Sequence, residues 1–167
     1  MTRTGKTATT PDYSYPKTLS QLNQLLADLA QLKNNVQQIH WYMRGHNFFS
    51  LHPLMDDYSD QLAEQTDTLG ERIIALGGSP FATIKEFVEN TGLPDEKITF
   101  DEFTLPELVS RLVKQFQYLR DQYQRGGIEI TDAEGDFPTQ DILNGYKSDA
   151  DKIIWMLSAY LDKGPLD

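Results

Sequence analysis

The chain has 167 residues, no cysteine and a formal net charge of −10 at pH 7. This length suits one compact domain with a full core, and the absence of cysteine excludes disulfides and thiolate metal sites. The negative charge argues against a general affinity for nucleic-acid phosphates or anionic membranes and favours cations as partners. No apolar run is long enough to cross a bilayer, so we expect a soluble, cytoplasmic protein with no membrane partner.

The first half of the chain predicts two long helices. Residues 1–16 are polar and rich in threonine, and we interpret them as a flexible N-terminal arm outside the core. Apolar residues at steps of three and four then predict a helix that stops at Gly45 and a second one that Ser50 caps and glycines 77–78 end. A short amphipathic stretch at 81–89 predicts an extra helix in the long link that follows.

The second half predicts two more long helices. Thr104 starts a capping-box pattern for the third helix, which we expect to close at glycines 126–127. Thr139 is predicted to cap the last helix, which stops at Gly164. Four amphipathic helices without a strand pattern predict an all-α four-helix bundle over residues 17–167, with a crossover connection between helices two and three.

All three histidines lie between positions 40 and 52, and two pairs of potential ligands lie on the second helix. His52 and Asp56 are spaced i,i+4, as are Asp67 and Glu71, so each pair can bind one cation. A helical wheel places both pairs on a polar stripe that points away from the apolar face of the helix. His40 lies one loop away and is a predicted third ligand beside His52.

The two pairs are too far apart to share one ion within a chain. About 22 Å of helix separates His52 from Asp67 at 1.5 Å per residue, whereas metal–ligand bonds are about 2.0 to 2.3 Å. A two-fold axis near Leu62 would lay a second copy antiparallel and bring the pair His52 and Asp56 opposite the pair Asp67 and Glu71. We therefore predict two equal metal sites between subunits, on the order of 20 Å apart.

Simpler interpretations of some residues stay open. Acidic side chains on an exposed helix face often serve only solubility, and Asp60 is ambiguous because the wheel places it near the polar stripe. His46 lies in the turn between the first two helices, where an exposed histidine is more common than a metal ligand. Asp60 and His46 are therefore each either a metal ligand or a solvated surface residue.

The sequence resembles the Dps-like mini-ferritins, in particular the branch described as peroxide-resistance proteins. The resemblance covers about residues 17–166 and includes HWYMRGHNFFSLHPLMD (40–56), DTLGERI (67–73), EGDFPTQDI (134–142) and IWMLSAYLDKGP (154–165). The spacing His-x11-His-x3-Asp-x10-Asp-x3-Glu matches the family's ferroxidase ligands at every position, which are here His40, His52, Asp56, Asp67 and Glu71. The sequence lacks a Glu-x-x-His pair, which argues against ordinary ferritins with a di-iron site inside one bundle.

The resemblance implies a ferritin-like bundle that assembles into a hollow dodecamer, with ferroxidase sites shared across two-fold axes. It implies that ferrous iron binds at these sites, that hydrogen peroxide preferentially oxidises it, and that ferric mineral is stored inside the shell and the cell is protected from oxidative damage. Imidazole and carboxylate ligands suit iron and equally Zn(II) or Mn(II), so zinc is expected as a competitor.

The resemblance also assigns roles outside the ligand set. Trp41 is expected close to the iron site, where it is oxidised in place of more harmful targets; an interface or core tryptophan is the alternative. Trp155 is expected to pack in the core, although the family places it near the site too. Asp132, Asp136 and Asp141 are expected at a three-fold pore that attracts ferrous ions, and the alternative is an acidic helix N-terminus favoured by the helix dipole.

Two rival functions stay open. Dps-like proteins also condense DNA, often with a lysine-rich terminal arm, but this arm offers only Arg3, Lys6 and Lys17 against Asp12. Because phosphate contacts dominate non-specific affinity, we do not expect direct DNA binding. The other rival is an oligomer without catalysis, held together by zinc at the same ligands.

Overall fold

The computed structural model describes residues 13–167, which form helices and contain no strand. The helices are α1 (Pro16–Tyr42), α2 (Phe48–Ala75), α3 (Ile84–Asn90), α4 (Leu105–Asp121), α5 (Glu129–Glu134) and α6 (Phe137–Tyr160), with a π-helical segment (Gln122–Ile128) between α4 and α5. Helix α1 packs along α2, and α4 packs along α6. These elements confirm the predicted all-α four-helix bundle with a short extra helix in the link between the second and third long helices.

One continuous apolar core lies between the long helices. Burying one leucine or isoleucine side chain stabilises the fold by ~1.5–3 kcal/mol. The apolar residues that recur at helical spacing therefore account for most of the packing. On α2 the side chains of Leu62, Leu69 and Ile73 face this core. The opposite side of α2, which carries the predicted metal stripe, is left facing outward.

Helix α4 begins as the sequence predicts. The Thr104 hydroxyl accepts from the backbone N–H of Glu107, and the Glu107 carboxylate accepts from the backbone N–H of Thr104 at 2.7 Å. The backbone N–H and the hydroxyl of Thr104 both donate to the Glu107 carboxylate, and these two hydrogen bonds lower the pKa of Glu107 below its usual value. The same capping box starts α3, where Thr83 and Glu86 take the two positions.

The prediction that the third helix closes at Gly126 and Gly127 is wrong. The chain continues from α4 through the π-helical segment into α5. A Cβ atom at Gly126 would lie 2.2 Å from the Gln21 side chain, and one at Gly127 would lie 2.5 Å from Leu143. The two glycines lie inside the continuing helix, where the side chains of Gln21 and Leu143 occupy the space that a Cβ atom would take.

Two predicted caps are also wrong. Helix α2 begins before Ser50, with Asn47 as its N-cap residue at a φ of 69°. Helix α6 begins before Thr139, and Asp136 caps it by accepting from the backbone N–H of Thr139 at 3.4 Å. In both places the helix starts one turn earlier than the apolar pattern indicates.

The predicted arm lies mostly outside the described residues, since only Tyr13, Ser14 and Tyr15 precede α1 there. Among the described helices, none combines the length and the apolar character needed to span a membrane.

Candidate metal centre at the turn between α1 and α2

The turn between α1 and α2 brings His40 and His52 into contact. Their rings are stacked, with centroids 3.7 Å apart and planes inclined by 22°. The Nδ1 atom of each histidine lies 3.1 Å from the backbone carbonyl oxygen of the other. A carbonyl only accepts hydrogen bonds, so each Nδ1 carries a hydrogen, and in the neutral imidazole the Nε2 atom then has a lone pair for a metal ion.

The local sequence explains why this turn can be so tight. Gly45 adopts a φ of 108° and Asn47 a φ of 69°, conformations that glycine and asparagine tolerate better than other residues. The ring of Phe48 then stacks on His52, with centroids 4.7 Å apart. Sequence reasoning missed Phe48, although its position four residues before His52 places both side chains on one helix face.

Asp56 completes a group of three polar side chains on this surface. Its Oδ1 lies 3.5 Å from Nδ1 of His40, and its side chain is 64% exposed whereas that of His40 is 14% exposed. The Nδ1 hydrogen of His40 is already directed at the carbonyl of His52, which leaves the carboxylate of Asp56 available to a ligand. His40, His52 and Asp56, which the sequence assigns to one half of the predicted site, thus all lie at this end of α2.

The other half lies further along the same helix. Asp67 and Glu71 are both exposed on α2, on the side opposite the buried Leu69 and Ile73. Within residues 13–167 of one chain, no three histidine or acidic side chains are arranged to hold a metal ion, and this includes His40, His52 and Asp56. The complete five-ligand site therefore stays a prediction that requires a second chain.

Comparison with known proteins identifies the family to which this chain belongs. The Ferritin-like domain family matches residues 19–166. The DNA protection during starvation protein of Listeria monocytogenes is 48% identical over 146 residues, which cover 87% of this chain and 92% of that protein. The chain belongs to the ferritin-like family, in its Dps branch.

Solved Dps structures share the fold closely. The X-ray structure of Dps from Listeria monocytogenes matches with a TM-score of 0.87 at 47% identity and covers 90% of this chain and 96% of that one. A structure of Dps from Listeria innocua soaked with cobalt matches with a TM-score of 0.88 at 44% identity and covers 95% of this chain and 100% of that one. The likeness extends over all the long helices.

Both tryptophans of this Dps chain lie on its surface. Trp41, which follows His40, is 65% exposed, and Trp155 is 54% exposed although its neighbours Ile153 and Ile154 are buried. The expectation that Trp155 packs in the core is therefore wrong for the single chain. Large exposed apolar side chains suit contacts with another subunit, and this interpretation of Trp41 stays open beside its proposed oxidation.

The acidic group near the start of α6 divides into exposed and buried members. Asp132 and Asp141 are exposed, as the pore prediction requires of each. Asp136 is only 1% exposed, and its Oδ1 accepts from Nη2 of Arg72 at 2.8 Å. Within this chain Asp136 is a helix cap and an ion-pair partner. Only Asp132 and Asp141 therefore remain as predicted pore residues.

Glu134 also has a role within the chain. Its carboxylate accepts from the backbone N–H groups of Lys17 at 3.0 Å and Thr18 at 2.8 Å, which are otherwise unpaired at the start of α1. His46 and Asp60 are both exposed, and both interpretations of each stay open.

Proposed function

We propose that this Dps chain oxidises ferrous iron and stores the ferric product. The observation that carries the proposal is the reciprocal pair formed by His40 and His52, which occupies both Nδ1 atoms and leaves both Nε2 atoms for a ligand, with the exposed carboxylate of Asp56 3.5 Å from Nδ1 of His40. Imidazole nitrogen and carboxylate oxygen are ligands that suit Fe(II), although they also suit Zn(II). Membership of the ferritin-like family favours iron as the substrate.

The proposed site is shared between two chains. His40, His52 and Asp56 come from one chain, and Asp67 and Glu71 come from a second copy related by a two-fold axis. The exposure of the carboxylates on α2 supports this arrangement, because a site complete within one chain would draw its ligands together. The proposal includes assembly of six such dimers into a dodecameric shell.

The side chains bind and orient the iron, and the chemistry is a transfer of electrons from it. Two ferrous ions give two electrons to one molecule of hydrogen peroxide, which with two protons becomes two molecules of water. Pairing the ions avoids the hydroxyl radical that a single ion would release. Ligands drawn from two surfaces leave coordination positions open for the oxidant.

Iron reaches the sites through the shell in this proposal. Asp132 and Asp141 are exposed near the start of α6 and are proposed to line a three-fold pore. Each chain adds a formal charge of −10, so an assembled shell attracts cations at low salt. A cytoplasmic location is part of the proposal, because a chain without cysteine has no need of an oxidising compartment.

Protection of DNA, which the names of the relatives state for those proteins, is proposed here as a consequence of iron removal. The net negative charge opposes direct contact with phosphates. The test is a plasmid exposed to Fe(II) and peroxide with and without the protein, run beside a gel shift. Protection from nicking without a shift supports this interpretation, whereas a salt-dependent shift at neutral pH would establish direct binding.

The experiment that tests the proposed function is anaerobic loading with Fe(II) followed by peroxide or by oxygen. The ferric absorbance should rise quickly with peroxide and more slowly with oxygen. The double variant His52→Ala with Asp56→Ala should lose this rise, whereas Asp57→Ala, which removes an exposed neighbour on α2, should keep it. No rise in the wild type would favour the zinc-held oligomer, and a normal rate in the double variant would refute the assigned ligands.

A further inference from the structure

Arg72 forms a buried connection between the end of α2 and the start of α6. Its Nε–H donates to the Thr139 hydroxyl oxygen at 2.7 Å, and its Nη2 donates to Oδ1 of Asp136 at 2.8 Å. The Thr139 hydroxyl donates in turn to the second carboxylate oxygen of Asp136. We call Arg72, Asp136 and Thr139 the α2–α6 joint.

Both carboxylate oxygens of Asp136 accept hydrogen bonds in the joint, and two of the three guanidinium nitrogens of Arg72 donate. A guanidinium group is planar and rigid, so two donors held at once fix its direction. Asp136 is buried, and removing its cationic partner would leave an uncompensated charge. The three side chains therefore have one favourable arrangement. This arrangement holds the end of α2 in place against the start of α6.

The position of the joint matters because Glu71 directly precedes Arg72. Helix α2 ends at Ala75, and the last turns of a helix fray unless tertiary contacts hold them. The fully buried Ile73 holds this turn to the core at one point. Arg72 holds it at a second point about 100° away around the helix, and two fixed points determine the rotation of the turn.

We propose that Arg72 is a positioning residue, whose pairing with Asp136 and Thr139 sets the direction in which Glu71 leaves α2. Glu71 is exposed, and among the described residues its carboxylate forms no hydrogen bond or ion pair that would orient it. The proposal rests on the proposed function, because it treats Glu71 as a ligand. It extends that function by giving a role to a residue outside the ligand set.

The same joint holds the start of α6. Asp136 is the N-cap of this helix as well as the partner of Arg72, and Asp141 follows in its first turns. Loss of Arg72 is therefore expected to loosen the proposed pore carboxylate together with the proposed metal ligand. The ion pair between Arg72 and Asp136 then determines the positions of both Glu71 and Asp141.

Cobalt(II) binding tests the proposal without iron oxidation, because the visible absorption of cobalt reports the geometry of its ligands. The assembled wild-type protein is titrated with Co(II) beside Arg72→Gln and Arg72→Lys. Loss of a group that orients a metal ligand commonly costs 10–100-fold in metal affinity, so we expect about a tenfold loss and a changed spectrum for Arg72→Gln. Arg72→Lys keeps the charge beside Asp136 but loses the second donor, and its affinity should be intermediate.

Two control variants separate positioning from general loss of stability or charge. Leu143→Ala truncates the core on α6, and Lys147→Gln breaks the exposed pair with Asp151. Both should keep the wild-type cobalt affinity and spectrum. A tenfold loss in Leu143→Ala as well would overturn the proposal, because any destabilisation would then produce the effect.

The outcomes distinguish this proposal from the proposed function. Absence of Co(II) binding by the wild type refutes the proposed metal site, and the role of Arg72 with it. Normal binding by the wild type together with an unchanged affinity and spectrum in Arg72→Gln refutes the role of Arg72 alone. If Arg72→Gln fails to fold, Arg72→Lys decides, since wild-type affinity and spectrum in that variant would also overturn the proposal.

Discussion

Two carboxylates of this chain, Asp28 and Asp56, occupy opposite kinds of environment. Asp28 is fully buried in α1, and its oxygens accept from the Gly92 backbone N–H at 2.9 Å, the Thr91 hydroxyl at 3.0 Å and the Tyr118 hydroxyl at 3.3 Å. Asp56 is mostly exposed, and its Oδ1 lies 3.5 Å from Nδ1 of His40. The first environment is complete within one chain and fixes the crossover link to the bundle.

The difference separates stability from proposed function. The hydrogen bonds that Asp28 accepts from Thr91 and Gly92 hold the link between α3 and α4 in place, and the one from Tyr118 connects α1 with α4, so loss of Asp28 should weaken the fold. The lone pairs of Asp56 and of the two histidine Nε2 atoms are left available for an ion. Loss of Asp56 or His40 should therefore weaken activity far more than the fold.

The largest expected effect is that of His40→Ala on iron oxidation. Loss of groups that merely orient metal ligands costs 10–100-fold in affinity or activity, so loss of a ligand should lower the rate by about 100-fold or more. Stopped-flow measurement of the ferric absorbance after peroxide addition checks this. A rate within a few-fold of the wild type would show that His40 is not a ligand.

The same assay resolves the role of His46, which is the other histidine of the turn. We expect His46→Ala to keep the rate within about twofold, because an exposed turn histidine is more often solvated than a ligand. A loss as large as that of His40→Ala would add His46 to the site.

The next effect concerns the fold, at Asp28. Asp28→Ala leaves the Gly92 N–H and two hydroxyl groups without an acceptor in a buried place, which should cost ~2–3 kcal/mol in the free energy of unfolding. Urea unfolding at matched protein concentration measures this, because assembly makes stability depend on concentration. Unchanged stability, or loss of iron oxidation at temperatures where the variant is folded, would contradict the assignment of Asp28 to the fold.

A smaller effect is expected in the pH dependence of stability. Burial raises the pKa of Asp28, against the opposing hydrogen bonds from Gly92, Gln24, Thr91 and Tyr118. The folded chain therefore binds this proton more tightly than the unfolded chain does, and the stability that Asp28 contributes in acid is lost as the pH rises through its folded pKa.

The variant Asp28→Asn is neutral at every pH and avoids this loss. Its stability should rise relative to the wild type as the pH increases from acidic values toward neutral. Urea midpoints of both proteins across this range check the prediction. Parallel profiles of the two proteins would show that the Asp28 carboxyl titrates at its ordinary pKa.

The smallest effect on rate is expected for Trp41→Phe. Trp41 is exposed and is not a ligand, so the rate of iron oxidation should stay within about twofold of the wild type. Mass spectrometry after excess peroxide should find oxidation at Trp41 in the wild type. Loss of assembly in the variant without any oxidation of the wild-type residue would instead support an interface role.

The fold could be predicted from the sequence because it depends on local patterns. Helical periodicity and the capping box at Thr104 involve residues that are close together in the sequence, so both can be recognised without the structure. The turn histidines could be found for the same reason, since the i,i+4 spacing of His52 and Asp56 and the short turn after His40 are local features. These predictions required no knowledge of which helices pack together.

The errors arose where a contact joins distant segments. Gly126 and Gly127 look like a helix stop, but the helix continues through them, and the side chains of Gln21 and Leu143 pack where a Cβ atom would lie. Asp136 looks like an exposed acidic residue, but it is buried against Arg72, which is 64 positions earlier in the chain. No pattern of single residues reveals such pairs, because the partner is chosen by the packing of the bundle.

The most direct test of the shared site mixes two inactive proteins. One carries His52→Ala with Asp56→Ala, the other carries Asp67→Ala with Glu71→Ala, and the two chains are unfolded together and reassembled. A shared site predicts that a mixed dimer regains one intact site of two, so random pairing should restore about a quarter of the wild-type rate. Reassembled mixtures that stay as inactive as either parent would contradict a site made by two chains.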